Sequence, residues 1–518
     1  MTTRNLRWLA ALTLAALGTS VQAQTLARGV VFHDRNGNGM RDAGEPGLKG
    51  MRVSNQREVV VTDASGRYEL PVSDDTIIFV VKPRNWTTPV DELGLRRFYY
   101  VHKPKGSPTL RFAGVAPTGP LPESVDFPLT PRREPDRFRV LIFGDTQPRN
   151  QTEIDYIAHD VIEDLIGSDA AFGITLGDVV FDDLSLFDST KRTIGLVGVP
   201  WAYVMGNHDT NHDAPDDERS DETWERQFGP AYYSFDHGPV HFIVLDNIMW
   251  RAASGSERAG YSGGLGAKQL AWLGNDLARV PRTQPVVLLM HIPIEAVAEK
   301  TQMFELLADR PYTLSFSAHT HTQEHRFISG SGGWKGKQPH HHVIHATVCG
   351  SWWSGAPDDL GIPHATMSDG APNGYSIVTF DRTRYTIEFR AARRPADYQM
   401  NIYAPEEVAV ADLATTDVTV NVFAGSSRSR VEMRMGSSGP WLPMEQTRMA
   451  DPAYQTLKDA EAGPNQPPGR KLPGISQSSH IWRARLPVGV GPGTHRIVVR
   501  ATDMFGKTHE ASRILRVK

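Results

Sequence analysis

The chain has 518 residues, which is more than one hydrophobic core supports, so about two to four domains are expected. Its apolar content of 40% and charged content of 22% are ordinary for a globular protein. The formal net charge of -4 gives no indication of general nucleic-acid binding.

The first 23 residues have the pattern of a signal peptide. Arg4 and Arg7 precede an apolar run over residues 8–17, and small residues follow up to Ala23. The apolar run is too short to span a bilayer permanently, and a retained amphipathic anchor is the alternative. No cysteine stands directly after the cleavage point, so a lipid-anchored form is not indicated, and no later stretch looks transmembrane. We therefore expect cleavage after Ala23, a mature chain without a transmembrane segment, and a periplasmic or secreted protein.

Composition changes along the chain indicate three domains after the signal peptide at 1–23. Residues 24–133 have short alternating apolar runs and resemble the small β-sandwich modules of bacterial surface proteins, with a predicted hairpin over residues 58–70. Residues 134–392 alternate strand-like and helix-like stretches, which predicts an α/β domain. Residues 393–518 return to alternating strands and end like the last hairpin of an immunoglobulin-like sandwich.

An oxygen-rich loop lies inside the N-terminal β domain. Asp34, Asn36, Asn38, Asp42 and Glu45 stand at positions one, three, five, nine and twelve, with glycine at six, as in a calcium loop. The flanking residues look like strands, so no helix–loop–helix is inferred. A structural calcium site and a plain Asn/Gly turn are both consistent with this segment.

Polar clusters follow buried apolar runs in the central domain. Runs over 138–143, 172–176, 201–205 and 285–290 read as buried strands. Open α/β sheets place their chemistry at the carboxyl ends of such strands, so the clusters are expected to converge. They are Gly144-Asp145-Thr146-Gln147, Gly177-Asp178, Gly206-Asn207-His208-Asp209, His291 and His319-Thr320-His321.

These five clusters resemble the calcineurin-like metallophosphoesterase superfamily. The pattern of that family is D-x-H, G-D, G-N-H-D/E, a lone His and G-H-x-H, and all five elements occur here in the same order. The resemblance implies a metallophosphoesterase β-sandwich flanked by helices, with an N-terminal small β-sandwich and a C-terminal immunoglobulin-like β-sandwich. The three-part arrangement further resembles exported bacterial members of the superfamily.

The resemblance also implies two divalent metal ions and their ligands. Asp178 matches the bridging carboxylate, and the remaining positions match ligands of the first metal (Asp145, Gln147, His321) and of the second (Asn207, His291, His319). Gln147 stands where many members have histidine and is a weaker donor, and Ala318 replaces the glycine before His319. A mixed oxygen and nitrogen set without thiolate fits Mn, Fe or Zn and does not distinguish among them.

His208 is expected to act on the substrate itself. Its neighbour Asn207 is assigned to a metal, so the resemblance implies that His208 protonates the leaving oxygen or stabilises the phosphoryl oxygens. Asp182 or Asp183 is expected to hold its other nitrogen. The implied nucleophile is a hydroxide that bridges the two metals.

Several features near the predicted site are open to two interpretations. Trp352 and Trp353 are candidates for substrate stacking or for core packing, and Asn373 lies in a turn that is a candidate for the rim of the pocket. The histidines at 340–342 follow a Gly/Lys-rich loop, which predicts a solvated loop entering a strand. Cys349 is the only cysteine and is expected to be a small packed side chain.

These observations predict an exported hydrolase of phosphomonoesters or phosphodiesters that acts on a small phosphorylated substrate. One alternative is a nucleotide-specific phosphohydrolase. The other is a cell-surface binding protein whose phosphoesterase core is degenerate. Metal content and turnover separate the enzymes from the binding protein.

Overall fold

The computed structural model describes residues 25–518, so the predicted signal peptide lies outside the described residues. The N-terminal part is a sandwich of two four-stranded sheets, with orders β4-β1-β8-β6 and β3-β2-β5-β7. Its strands are β1 (Leu26–His33), β2 (Arg52–Ser54), β3 (Val59–Val61), β4 (Arg67–Pro71), β5 (Thr76–Val81), β6 (Trp86–Thr87), β7 (Tyr99–His102) and β8 (Phe127–Pro131).

The hairpin expected over residues 58–70 is not formed as a pair. A local turn closes between Asp63 and Arg67, but β3 pairs with β2 in one sheet and β4 pairs with β1 in the other. The prediction was wrong because the connection crosses between the two sheets, so each strand finds its partner elsewhere in the chain.

The oxygen-rich loop after β1 is closed by its own hydrogen bonds. Asp34, which is buried, accepts from the amides of residues 37 and 39 at 2.7 and 2.9 Å. The side-chain amides of Asn36 and Asn38 each donate to Asp42 at 2.8 Å, and Glu45 accepts from the backbone of Asp42. Bound calcium at this loop stays a prediction.

The central part contains two large sheets with helices on their outer faces. Its strands are β9 (Arg137–Phe143), β10 (Phe172–Leu176), β11 (Trp201–Val204), β12 (Tyr233–His237), β13 (Val240–Val244), β14 (Ile248–Arg251), β15 (Gly260–Gly263), β16 (Val286–Leu289), β17 (Thr313–Ser317), β18 (Glu324–Ile328), β19 (His340–Ile344), β20 (Gly374–Asp381) and β21 (Arg384–Ala391). Its helices are α1 (Gln151–Ile157), α2 (Phe187–Gly195), α3 (Glu222–Phe228), α4 (Gly266–Leu277) and α5 (Lys300–Leu307).

The two sheets pack face to face through aromatic side chains. The first has the order β11-β10-β9-β20-β21 and the second the order β12-β13-β16-β17-β19-β18. Phe172 of the first sheet contacts Phe235 and Phe242 of the second, with ring centroids 5.4 and 5.2 Å apart. Strands β9, β10 and β11 run parallel to one another, as do β13, β16, β17 and β19. The carboxyl ends of these strands therefore form one edge of each sheet, where the predicted clusters lie.

The C-terminal part is a second β-sandwich with one helix. Its sheets have the orders β22-β24-β28-β27 and β23-β30-β29-β25-β26, and the predicted last hairpin is the long pair β29–β30. Its elements are β22 (Met400–Tyr403), β23 (Glu407–Val408), β24 (Asp417–Val422), β25 (Arg430–Met435), β26 (Leu442–Pro443), β27 (Glu445–Ala450), α6 (Pro452–Ala462), β28 (Gln477–Arg485), β29 (Gly493–Thr502) and β30 (Thr508–Val517).

The histidine run at 340–342 begins β19, and the mostly exposed loop at 331–337 leads into it, as the sequence predicted. The strand lies inside the second sheet and every one of its residues is buried. His340 contacts the hydroxyls of Thr313 and Ser315 at 2.9 and 2.7 Å, and His342 contacts Ser315 at 2.7 Å. These hydroxyls on β17 satisfy the imidazoles, which allows the histidines to be buried.

No helix within residues 25–518 has the length and apolar character needed to cross a membrane.

Candidate metal centre

The predicted ligands lie where the edges of the two sheets meet. Asp145 and Asp178 follow β9 and β10 in the first sheet, and His291 and His321 follow β16 and β17 in the second. Across the gap, Nε2 of His321 lies 3.1 Å from Oδ2 of Asp145, and Nε2 of His291 lies 3.3 Å from Oδ2 of Asp178. All four side chains are almost completely buried. The sheet packing therefore joins residues that are far apart in sequence.

The second group of predicted ligands gathers around His291. Its Nε2 lies 3.1 Å from Oδ1 of Asn207 and 3.1 Å from Nδ1 of His319. One ligand atom each from Asp178, His291 and His319 falls within 4.8 Å of the other two. Asp178 also lies 3.1 Å from Nε2 of Gln147, so its carboxylate stands between the two groups.

Backbone carbonyls orient two of the histidines toward the centre. Nδ1 of His291 lies 2.8 Å from the carbonyl of Leu176, and Nδ1 of His321 lies 2.5 Å from the carbonyl of Gly350. A carbonyl only accepts hydrogen bonds, so each imidazole carries a proton on Nδ1 and turns Nε2 toward the centre. Metal-binding histidines are typically held in this way.

The side-chain atoms that face the centre are suited to bind divalent cations. Nε2 of His291 lies close to a carboxylate oxygen, an amide oxygen and another imidazole nitrogen, each of which can serve as a metal ligand. Oδ2 of Asp145 is buried and has no hydrogen-bond partner within residues 25–518, although Nε2 of His321 is close. Acceptor atoms crowded together in a buried site require a cation, either protons on the imidazoles or a metal ion. The mixed oxygen and nitrogen donors suit Mn, Fe or Zn.

The electrostatic field of the site also favours cations. Burial would lower the pKa of His291, but the charges of Asp178 and then Asp145 raise that pKa to about 9. Burial likewise opposes protonation of His321, whose pKa is nonetheless raised well above the usual value, with Asp145 among the causes. The same carboxylates that attract protons to these imidazoles would attract a metal ion.

Backbone strain is concentrated at the predicted site. Seven of the predicted site residues have a positive φ, which is unusual for side chains other than glycine; they are Gln147, Asp178, Asp182, His319, His321, Trp352 and Trp353. Gly177 has a φ of 91°, and a Cβ there would lie 2.4 Å from the ring of His291, so only glycine fits. Strained backbone of this kind tends to occur at functional sites, because the surrounding fold must hold it in place.

The two departures from the family motif have different consequences. Gln147 is fully buried, and its Nε2 donates to Asp178 while its Oε1 faces the thiol of Cys349 at 3.6 Å. Binding of a metal through Oε1 would require rotation of the amide about the last side-chain bond. Ala318 is not among the non-glycine residues with positive φ, so alanine is accommodated there without strain.

His208 lies beside the ligand cluster and is held from three sides. Its Nδ1 lies 2.6 Å from Oδ1 of Asp182, its backbone amide donates to Asp178 at 2.9 Å, and its ring stacks on Phe181 at 4.3 Å. Burial would lower the pKa of His208, but the hydrogen bond that its ring donates to Asp182 and the charge of Asp178 raise that pKa above its usual value. Of the two candidate partners, Asp182 makes this contact, whereas Asp183 accepts from Ser185.

The three candidate substrate contacts occupy different environments. Trp352 is half-buried and stacks on His321 with ring centroids 3.9 Å apart, which puts it at the edge of the centre. Trp353 is 1% exposed and packs on Tyr156, so it belongs to the core. Asn373 is buried and its amide nitrogen donates to Asp160 and to the carbonyl of residue 348. For Trp353 and Asn373 the structure therefore indicates packing roles, because their polar groups are already satisfied within the fold.

Sequence reasoning missed residues that position the ligands. Oδ1 of Asn247 accepts from the backbone amides of His291 and the next residue at 3.2 and 3.1 Å. The carboxylate of Asp209 accepts from the amides of Val179, Val180 and Gly206, which ties the loops of Asp178 and Asn207 together. Asn247 follows β13, a further buried strand of the second sheet, so the strand-end signal was present in the sequence.

The family comparisons agree with the motif pattern. The model for the calcineurin-like phosphoesterase domain matches residues 138–323. Models for the N terminal and the C terminal of calcineurin-like phosphoesterase match residues 35–114 and 342–509.

Comparisons with individual proteins support fewer conclusions than the family models do. No curated protein sequence matches this chain. Among solved structures, the purple acid phosphatase PPD1 from yellow lupin (Lupinus luteus) seeds is 14% identical, over 66% of this chain and 71% of that one, with a TM-score of 0.35. That score is too low to support an inference. The three family matches follow one another along the chain in the order of its three parts, and the chain belongs to the calcineurin-like phosphoesterase family.

Proposed function

We propose that this protein is an exported phosphoesterase that hydrolyses a small phosphomonoester or phosphodiester at two divalent cations. The observation that carries the proposal is the cluster of buried carboxylate oxygens and imidazole Nε2 atoms, which approach one another in pairs at 3.1 and 3.3 Å and can all serve as metal ligands. Asp145 with His321 and His291 with Asn207 form two adjacent groups, and Asp178 lies between them.

Each group has the donors for one cation. Asp145, His321 and the carbonyl of Gln147, after amide rotation, would hold the first; Asn207, His291 and His319 would hold the second. Asp178 would contribute to both, and its negative charge would reduce the repulsion between the cations. When bound, such a pair lowers the pKa of water and supplies the hydroxide nucleophile at neutral pH.

His208 would donate a proton to the leaving oxygen. Asp182 contacts Nδ1, which leaves Nε2 as the atom that can exchange a proton with the substrate. The contact with Phe181 fixes the plane of the ring, and the raised pKa favours the protonated imidazole before the bond breaks. Asp182 acts through His208 and is a positioning residue.

Metal removal and reconstitution test this function. The purified protein would be stripped with a chelator, analysed for metals, and assayed with phosphomonoesters, phosphodiesters and nucleotides after addition of Mn²⁺, Fe²⁺ or Zn²⁺. We expect about two metal ions per chain and turnover only in the reconstituted protein. Turnover confined to nucleotides would select the nucleotide-specific alternative, and bound metal without any turnover would favour the binding protein.

Export is tested separately from catalysis. Expression with residues 1–23 present is expected to yield a periplasmic or secreted chain that begins at Gln24, as checked by fractionation and N-terminal sequencing. An uncleaved chain in the membrane fraction would support the retained anchor instead.

A further inference from the structure

Two arginines approach the metal centre from outside the predicted ligand set. The guanidinium of Arg149 lies 4.0 Å from the ring centroid of Phe181, and that ring stacks on His208 at 4.3 Å. A single aromatic ring therefore separates this cation from the predicted proton donor. Arg149 follows Gln147 by two residues, so the same strand end supplies both.

The second arginine comes from the C-terminal domain. Arg470 lies in the segment between α6 and β28, and its backbone carbonyl accepts from the amide of Gly355 at 2.7 Å. Its guanidinium donates to the carbonyl of Trp352 at 2.5 Å, and the Trp352 ring stacks on His321. Arg149 donates to the same carbonyl at 3.1 Å. The C-terminal domain thus reaches the edge of the centre, and both guanidinium groups meet at Trp352.

The pair retains charge and free hydrogen-bond donors. Glu153 accepts from Arg470 at 2.9 Å and lies 3.8 Å from Arg149, so one carboxylate faces two cations. A guanidinium has five N–H donors. The side-chain hydrogen bonds within residues 25–518 use one guanidinium nitrogen of Arg149 and two of Arg470, so each side chain keeps further N–H groups. The side chains are 27% and 44% exposed, so both remain partly accessible to solvent.

We infer that Arg149 and Arg470 form a subsite for a second phosphate group on the substrate, beside the phosphate that reacts. The inference rests on the proposed function and makes it more specific. Guanidinium groups bind phosphate oxygens through paired, charge-assisted hydrogen bonds. A substrate with a second phosphate in its leaving group would place that phosphate against the uncompensated charge, and the C-terminal domain would contribute to substrate selection.

A matched pair of substrates tests this subsite. Propyl phosphate and propane-1,3-diyl bisphosphate differ only in the second phosphate, and kcat/KM for each would be measured in the unmodified protein and in Arg470→Gln. We expect the unmodified protein to prefer the bisphosphate. The substitution should reduce the ratio of the two kcat/KM values roughly 10- to 100-fold, as expected when a hydrogen bond between charged groups is lost. Arg149→Gln should change the same ratio in the same direction.

Arg448→Gln is the matched control. Arg448 also joins the C-terminal domain to the central domain, through Glu324 at 3.4 Å, but within residues 25–518 it has no hydrogen bond or ion pair with Trp352 or the ligand cluster. This variant should keep the unmodified ratio. If Arg470→Gln lowered kcat/KM equally for both substrates, Arg470 would act by holding Trp352 in place, and the proposed subsite would be wrong.

A binding measurement separates this inference from the proposed function. Calorimetry with propane-1,3-bisphosphonate and propylphosphonate, which are not hydrolysed, should show the same preference and its loss in Arg470→Gln. Binding preference without turnover in any substrate would contradict the phosphoesterase and keep the subsite. Turnover with equal affinity for the two phosphonates would keep the phosphoesterase and remove the subsite.

Discussion

Two groups of histidines on the second sheet have opposite surroundings. His291 and His321, which follow β16 and β17, face buried carboxylates, and their pKa values are raised. His340 and His342 lie within the neighbouring strand β19 and face hydroxyls, and burial lowers their pKa values, that of His340 to about 3. The partner chemistry therefore separates a candidate metal centre from a neutral core, although both groups are buried.

The largest effect is expected from the carboxylate between the two ligand groups. Asp178→Asn removes the negative charge that faces His291 while keeping the size of the side chain. We expect loss of bound metal and turnover at background level, because Asp145 would then be the one carboxylate among the proposed ligands and cannot balance two cations. Metal analysis and phosphoester assays check this, with circular dichroism to establish that the fold is intact. A folded variant with full metal content and activity would contradict the bridging assignment.

Removal of the proposed proton donor should slow the reaction without emptying the centre. His208→Ala should retain both metals and reduce kcat roughly 10²- to 10⁴-fold, the usual range for a general acid. The loss should be largest for substrates with poor leaving groups, which a series of phosphoesters measures.

Asp182→Asn should reproduce part of the effect of His208→Ala, because it weakens the hold on Nδ1. Asp183→Asn is its control, since that carboxylate accepts from Ser185. Equal loss across all leaving groups in His208→Ala would remove the proton-donor role.

A smaller effect is expected where the histidine is held through its backbone. Asn247→Ala removes the acceptor for the amides of His291 and residue 292. We expect metal affinity to fall roughly 10- to 100-fold, as for other residues that orient a ligand. Titration of the stripped protein with Zn²⁺ measures this, and unchanged affinity would show that the packing of β16 alone positions His291.

The smallest effect concerns the neutral histidines. A histidine in the unfolded chain takes up a proton near pH 6.5. In the folded chain, burial lowers the pKa values of His340 and His325 to about 3, so both stay neutral over the range in which the unfolded residues become charged. The unfolded state therefore binds more protons as pH falls, and each such histidine should reduce the free energy of unfolding by about 1 kcal/mol between pH 6.5 and about 5.5.

Denaturant titrations at several pH values measure that slope. His340→Gln should make the dependence on pH shallower while metal content stays unchanged, because His340 is not a ligand in this comparison. If the pH dependence of the free energy of unfolding were unchanged in His340→Gln, the imidazole would not be buried in its neutral form. If the variant lost metal, His340 would belong with the metal-binding histidines and not with the neutral core.

Prediction from sequence succeeded where the pattern is local. The run 172–176 became β10 with the same bounds, and the run 138–143 lies within β9, because each pattern depends on neighbours along one element. The hairpin at 58–70 failed because strand pairing is set by contacts distant in sequence. The roles of Trp353 and Asn373 were open for the same reason, since their partners, Tyr156 and Asp160, come from α1 and from the π-helical segment that continues it.

The sequence by itself determined the family, the order of three parts and the identity of the clustered polar residues. Motif spacing and apolar periodicity depend only on the order of residues along the chain. Only the tertiary structure decided which atoms face one another. It brought Asp145 to His321, oriented His291 through the backbone carbonyl of Leu176, and carried Arg470 from the C-terminal domain to Trp352. These contacts join segments separated by more than a hundred residues, so the packing of sheets and domains determines them and local preference does not.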